Sequence, residues 1–239
     1  MSELAEKTGT AAAARSGSGT GTSRPDLLVK ENRNAEQMSN LEQQIALLMK
    51  NSSFKVFHFT ASREGEGVSS VAAGLAQVMA KKGSNRNFLL IDANFSAPAQ
   101  HIIFNIPPSP GLKDALLGKP LTECVHGVLP HTVRIMPCGS GEVDLTGAGG
   151  QEKLAGLISS LKSQYDCIII DSSPLLTASD SLAMALVSDI TFLVIQANRT
   201  LWEVAEKSKL HLEKNGCQIG GVVLNKVVHS IPEWLYKRL

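Results

Sequence analysis

Disulfide chemistry, membrane insertion and a strong field of one sign are all missing from this chain. Its four cysteines (Cys124, Cys138, Cys167, Cys217) lie far apart and none forms a CxxC pair. Neither a disulfide framework nor a zinc site is therefore expected. Cys167 and Cys217 open apolar runs, where a free thiol behaves as a small buried hydrophobe. No stretch approaches the roughly 20 apolar residues that cross a bilayer, and no basic region followed by an apolar run marks a signal peptide. A cytoplasmic protein is expected. The formal net charge is only +1 and no basic run occurs, so nucleic acid is not an expected partner. The six histidines (His58, His101, His126, His131, His211, His229) show no metal-ligand spacing. The serines form no G-x-S-x-G elbow, which leaves a hydrolase triad without support. Only two tyrosines are present, Tyr165 and Tyr236.

What is present suits one α/β domain with a sizeable core: 239 residues, 43% hydrophobic and 19% charged. Residues 1–25 are rich in Ala, Gly, Ser and Thr and carry too few apolar side chains to offset ordering entropy, so a disordered arm is expected there. Residues 26–53 read as a linker and a helix from about Ala35 to Lys50, with Met38, Leu41, Ile45 and Leu48 on one face. From residue 54 to 239 the pattern is strand, loop, helix, repeated. The runs FKVFHFTA, NFLLIDA, CIIIDSS, ITFLVIQA and IGGVVLNKV are short and nearly unbroken, as parallel strands buried on both faces require. HTVRIMPC is a weaker strand. Helical stretches cover Val68 to Lys82, Gln151 to Gln164 and Leu201 to Asn215. This alternation predicts a doubly wound, mainly parallel sheet. The segment Gly139 to Gly150 is the expected mobile loop, and the C-terminal IPEWLYKRL (Ile231 to Leu239) is expected to pack on its own domain or to dock weakly at a membrane.

The first strand runs through Thr60-Ala61-Ser62-Arg63-Glu64-Gly65-Glu66-Gly67-Val68-Ser69-Ser70 straight into a helix. A phosphate-binding loop needs that context, because glycines let backbone N–H groups turn inward and the helix presents its positive end. In the general pattern G-x-x-x-x-G-K-[ST], lysine reaches the β- and γ-phosphates and the hydroxyl holds magnesium. Here Ser62 replaces the first glycine, Gly67 and Ser69 match, and Val68 replaces the lysine. Asp92 in LLIDANFSAP and Asp171 in CIIIDSSPLL end two other strands. Ligands of open parallel sheets sit at those carboxyl ends. Either aspartate alone could cap a helix; together they suggest magnesium and water ligands beside a nucleotide.

These segments, in order and spacing from about Glu36 to Asn225, resemble the cytoplasmic bacterial tyrosine kinases of capsular and exopolysaccharide assembly (CpsD/CapB-type), within the MinD/ParA-like deviant P-loop group. REGEGVSS resembles PGEGKST, LLIDANFSAP resembles LLIDADLRRP, PGLKDALLGK resembles a GL-x-D-x-L-x-G segment, and YDCIIIDSSPLLTASD resembles YDYVIIDTPPVL-x-x-SD. GGVVLNKV resembles the final strand, whose asparagine, Asn225 here, is expected near adenine. The resemblance implies a P-loop NTPase fold, ATP or ADP with Mg2+, and a nucleotide site formed by Arg63, Gly65, Glu66, Gly67, Val68, Ser69, Ser70 and Asn225. It also implies Ser69, Asp92 and Asp171 at the metal and Asp92 and Asp171 in catalysis.

Four departures bear on that implication. Val68 cannot neutralise phosphate oxygens, and phosphoryl transfer depends almost wholly on positioning and charge stabilisation. Asn94 stands at the second aspartate's position, and an amide cannot take a proton as a carboxylate does. The E-x-x-R-x-x-R oligomerisation pattern reads Glu36, Ser39, Glu42, without its arginines, and the tyrosine-rich tail is missing. Arg63 aligns with the signature lysine of MinD/ParA-type proteins and could restore a cation, or could be an exposed loop residue; Glu64 and Glu66 oppose anion binding. The expectation is a catalytically impaired, regulatory pseudokinase of polysaccharide assembly. It would act at the inner face of the membrane through a membrane-embedded co-polymerase, and could form homo- or hetero-oligomers with a related kinase. The alternatives are an active autokinase or ATPase using Arg63, and a ParA-like positioning ATPase.

Overall fold

The computed structural model describes residues 25–82, 86–128 and 133–227, with side chains from Glu36 onward. Residues 1–24 of the expected arm, the C-terminal Ile231–Leu239 stretch with Tyr236, and His131 and His229 lie outside the described residues. Chain order runs α1 (Pro25–Ser52), β1 (Val56–Ala61), α2 (Val68–Lys81), β2 (Phe88–Ala93), α3 (Gln100–Ile103), α4 (Leu112–Leu116), α5 (Leu121–Cys124), β3 (His126–Val128) and β4 (Val133–Met136). It continues through α6 (Ala148–Gln164), β5 (Cys167–Ser172), α7 (Ser179–Leu186), β6 (Ile190–Gln196), α8 (Trp202–Lys214) and β7 (Ile219–Asn225).

One seven-stranded sheet has the order β3-β4-β2-β5-β1-β6-β7. Every pairing is parallel except β3 with β4. The doubly wound α/β class expected from the alternating pattern is the class observed. Strands β1, β2 and β5 are buried at every position, which is why their sequences are unbroken apolar runs rather than alternating ones. Edge strand β7 alternates instead, and leaves Val222 and Leu224 exposed.

Helices cover both faces. On one, Phe57, Phe59, Ile169 and Phe192 pack beneath Leu75 and Met79 of α2 and beneath Leu41 and Ile45 of α1. Gly74 allows α1 to come close, since a Cβ there would press on Met38 at 3.2 Å. On the other face Leu89, Ile91, Ile168 and Ile170 meet Leu112 of α4, Leu154 and Ile158 of α6, and Met184 of α7. Each fully buried side chain of this size contributes about 1.5–3 kcal/mol.

Two expectations need correction. Helix α1 starts at Pro25, ten residues before the expected start near Ala35; proline is well suited to a first helical turn, where its missing N–H costs nothing. The Gly139–Gly150 segment, expected to be mobile, is tied down. Ser140 donates through its N–H and its hydroxyl to Asp114, both at 3.0 Å, Leu145 is buried, and the last three residues belong to α6. Asp114 also accepts from Gly111 N–H at 2.8 Å. The GLKD segment is thus a clasp between α4 and the loop after β4.

Candidate nucleotide site at the carboxyl edge of the sheet

The Ser62–Gly67 loop leaves β1, between β5 and β6 in the sheet, and feeds α2. Gly65 and Gly67 have φ of 79° and 95°, which L side chains rarely adopt. At Gly67 a Cβ would also come within 2.2 Å of Asn225 Nδ2. No side chain caps α2 and its first turn holds no acidic residue. Its leading N–H groups therefore face the cleft without an internal partner, a ready site for an anion. The cleft has a volume of about 290 Å³ and lies between this loop and Asn94, Ser96 and Pro174.

Three residues hold the loop's shape. Glu66 is buried, and its carboxylate accepts from Ser62 N–H at 2.8 Å, from Arg63 N–H at 3.1 Å and from the Thr200 hydroxyl. Glu66, expected among the cofactor-binding residues, lines the cleft and also folds the loop from inside. Asn225, expected near adenine, donates through Nδ2 to the Glu66 carbonyl at 2.9 Å. Its neighbour Lys226 donates through Nζ to the Gly65 carbonyl at 2.6 Å. The end of β7 thus braces the cradle. Thr200 and Lys226 were not singled out from the sequence, because their partners lie far away along the chain.

Val68 is 7% exposed and belongs to the core beneath α2. The position expected to carry a cation holds an apolar group, which lines the cleft at its base and packs into the core. Arg63 and Glu64 are exposed on the cleft wall, while Ser69 is half-buried and Ser70 exposed at the start of α2. Among the described residues Arg63 makes no ion pair.

The two expected carboxylates are direct neighbours, Asp92 opposite Asp171 in the β2–β5 register. Both are fully buried. Asp92 Oδ1 accepts from Asn94 N–H at 3.2 Å, and its Oδ2 from Ala99 and Gln100 N–H, each at 2.9 Å. Three of its roughly four lone-pair directions are thereby filled. Burial raises its pKa above the usual carboxylate range and the three N–H groups pull it back. Asp92, expected as a metal ligand and catalytic group, is here tied by these bonds to the backbone at the start of α3. Asn94 likewise supports the turn, its Oδ1 accepting from Ser173 Oγ at 3.0 Å and Ala97 N–H at 3.1 Å.

Asp171 differs. Its Oδ2 accepts from Gln100 Nε2 at 2.7 Å, while Oδ1 is buried with no partner. Burial, and then the charge of Asp92, push its pKa well above the usual range; Gln100 and Ser69 oppose that rise. An orphaned carboxylate oxygen beside the Ser69 side chain suits a magnesium ion, which takes one or two carboxylates, keeps several waters and completes its shell with phosphates. Asp171 and Ser69 would hold it, and the ion would supply charge neutralisation at the phosphates. Gln100, the residue that touches Asp171, was not foreseen. It starts a four-residue helix, too short to show any periodicity.

His58 lies within β1, away from the cleft lining. It is fully buried, its Nδ1 meets Thr191 Oγ1 at 3.2 Å, and burial lowers its pKa to about 3, which keeps the ring neutral. It is a core residue, as a histidine inside a strand suggests.

No model of a protein family matches the chain. Among individual proteins it is similar to the tyrosine-protein kinase CpsD of Streptococcus agalactiae, with 30% identity over 179 residues, covering 74% of this chain and 76% of that protein. Among solved structures it is similar to the VpsO kinase domain, with 28% identity and a TM-score of 0.72 over 85% of this chain and 98% of that one. The septum site-determining protein MinD of Pyrococcus horikoshii, solved with Mg-ADP, shares the fold at a TM-score of 0.61 and 22% identity, over 77% of this chain and 76% of that one.

Proposed function

The chain belongs to the bacterial tyrosine-protein kinase family, and on that footing we propose that it binds an adenine nucleotide with magnesium but transfers phosphate poorly, as a regulatory member of polysaccharide assembly. The observation that carries this reading is the contrast at the start of α2. The glycine cradle and uncapped helix end are in place, while Val68 turns into the core. Backbone N–H groups bind phosphate in ground state and transition state alike, so they support affinity more than rate. A cation that grips the transferring phosphoryl group acts mainly on the rate, and losing one such donor typically costs about 10²–10³ in kcat. Asn94 at the second aspartate position removes a general base, worth about 10²–10⁴.

A membrane-embedded chain-length or co-polymerase protein is the partner this reading implies, with the chain held peripherally at the inner face of the membrane. Among the described residues no helix is long and apolar enough to cross a membrane, so attachment through a partner accounts for that location. The family resemblance supplies the partner's class and the polysaccharide pathway.

One observation favours a second reading, an active autokinase. Arg63 lines the cleft without an ion-pair partner among the described residues, and its guanidinium could serve as the missing cation. Two measurements separate the readings. Mg-ADP at about 100 times its dissociation constant raises stability by about 2.7 kcal/mol if the cradle binds; no shift at millimolar nucleotide refutes binding. Incubation with Mg-ATP then yields no phosphotyrosine under the regulatory reading. Robust phosphotyrosine that Arg63→Ala abolishes establishes the active one.

A further inference from the structure

Three polar atoms at the centre of the site stand out: Gln100 Nε2, Gln100 Oε1 and Asp171 Oδ1. Gln100 is 0% exposed. Its Nε2 donates to Asp171 Oδ2 at 2.7 Å and to the Ser69 carbonyl at 3.1 Å. Its backbone N–H donates to Asp92 Oδ2 at 2.9 Å. One residue therefore links the ends of β2 and β5 to the first turn of α2. Its own Oε1 and the second oxygen of Asp171 are buried without partners. Burying an unpaired polar atom costs about 1–3 kcal/mol, so one such atom on each of two hydrogen-bonded residues points to a missing ligand.

We infer that Gln100 is a positioning residue that clamps Asp171 Oδ2 and so presents Asp171 Oδ1 to the divalent cation of the nucleotide complex. The inference rests on the nucleotide-binding reading above and deepens it by assigning the residue that aims the metal ligand. The chemistry suits a neutral amide. An Nε2 donor holds one carboxylate oxygen without adding a charge that would compete with the cation, and the link to the Ser69 carbonyl fixes the spacing between the aspartate and the α2 hydroxyl. Asp92 acts one step further out, by capping α3 and so fixing where Gln100 begins. Partners of metal ligands that orient them in this way typically change metal affinity by about 10–100-fold when removed.

Gln100→Met keeps the length and apolar bulk and removes the donor. With Mn2+ as the probe, its affinity for the ADP complex is measured by electron paramagnetic resonance, and ADP affinity in EDTA is measured in parallel. The expected result is a 10–100-fold loss of Mn2+ affinity with metal-free ADP affinity and melting temperature close to wild type. Mn2+ affinity within twofold of wild type overturns the inference, as does an equal loss of Mn2+ and metal-free ADP binding, which would mark a merely structural role. Wild-type protein that binds ADP but not Mn2+ also overturns it. Protein that binds no ADP at all overturns the nucleotide reading itself, and this inference with it. Should Gln100→Met fail to fold, a wild-type structure with Mn-ADP decides. Nε2 still on Oδ2 and the metal on Oδ1 supports the assignment; an amide swung away, with the metal across both oxygens, overturns it.

Discussion

The carboxyl ends of β2 and β5 carry the same residue type in the same register, and the surroundings give the two side chains different work. Asp92 receives three backbone N–H groups from the turn and helix that follow it. Asp171 receives one side-chain amide and keeps one oxygen bare. A carboxylate whose lone pairs are filled by backbone donors is tied to the local turn, while one left half-satisfied in a buried site can take a further partner. Position at the ligand-binding edge of a parallel sheet therefore selects candidates, and the supply of local donors decides among them.

The largest way to break this comparison is to substitute each aspartate. Asp92→Asn places an N–H₂ against backbone donors, and hydrogen bonds to a charged acceptor contribute about 1.5–3 kcal/mol each. A loss of about 3 kcal/mol in urea unfolding is expected. Asp171→Asn at neutral pH loses no stability, because it removes a buried charge whose desolvation Gln100 and Ser69 only partly offset. Equal losses at the two positions would remove the distinction.

A pH series sharpens the same contrast. The folded-state pKa of Asp171 is raised, so the folded protein holds that proton more tightly than the unfolded chain does. Its contribution is most favourable below the ordinary carboxylate value of about 4 and worsens as pH climbs toward the raised value. Relative to wild type, Asp171→Asn should gain up to about 1.4 kcal/mol per pH unit across that window. A difference that stays flat with pH would show that the carboxylate is not held in a desolvated site. Val68→Lys is expected to have the smallest effect on stability, a loss of about 1 kcal/mol as an apolar core contact is given up. By calorimetry it should tighten Mg-ATP about tenfold, equivalent to about 1.4 kcal/mol; unchanged affinity would mean the cradle lacks more than its cation.

Much of this architecture could be read along the chain. Five strands announced themselves because burial on both faces makes a parallel strand a bare apolar run, and the glycine loop was recognisable from the strand before it and the helix after it. The short elements could not be read. A three-residue strand such as β3 and four-residue helices such as α3 and α5 contain less than one full period of any pattern. Within the site, Asp92, Asp171 and the loop were identified with expected metal, catalytic and nucleotide-binding roles, but not with the hydrogen bonds that hold them. The donors that make Asp92 a cap come from Ala99 and Gln100, seven and eight residues later. The brace from Asn225 and Lys226 reaches across about 160 positions of sequence, as the separations of 159 and 161 show. Local pattern holds no trace of such contacts, since only the closed sheet brings them together.

The proposed contrast between a phosphate cradle and an absent cation is tested most directly by the fate of bound ATP. Protein incubated with Mg-ATP is isolated by rapid gel filtration, quenched in acid, and its nucleotide separated by chromatography. The account predicts that ATP travels with the protein and is recovered intact after many minutes. Recovery of ADP together with phosphotyrosine on the chain would contradict it, and recovery of no nucleotide would show that the loop no longer serves as a phosphate cradle.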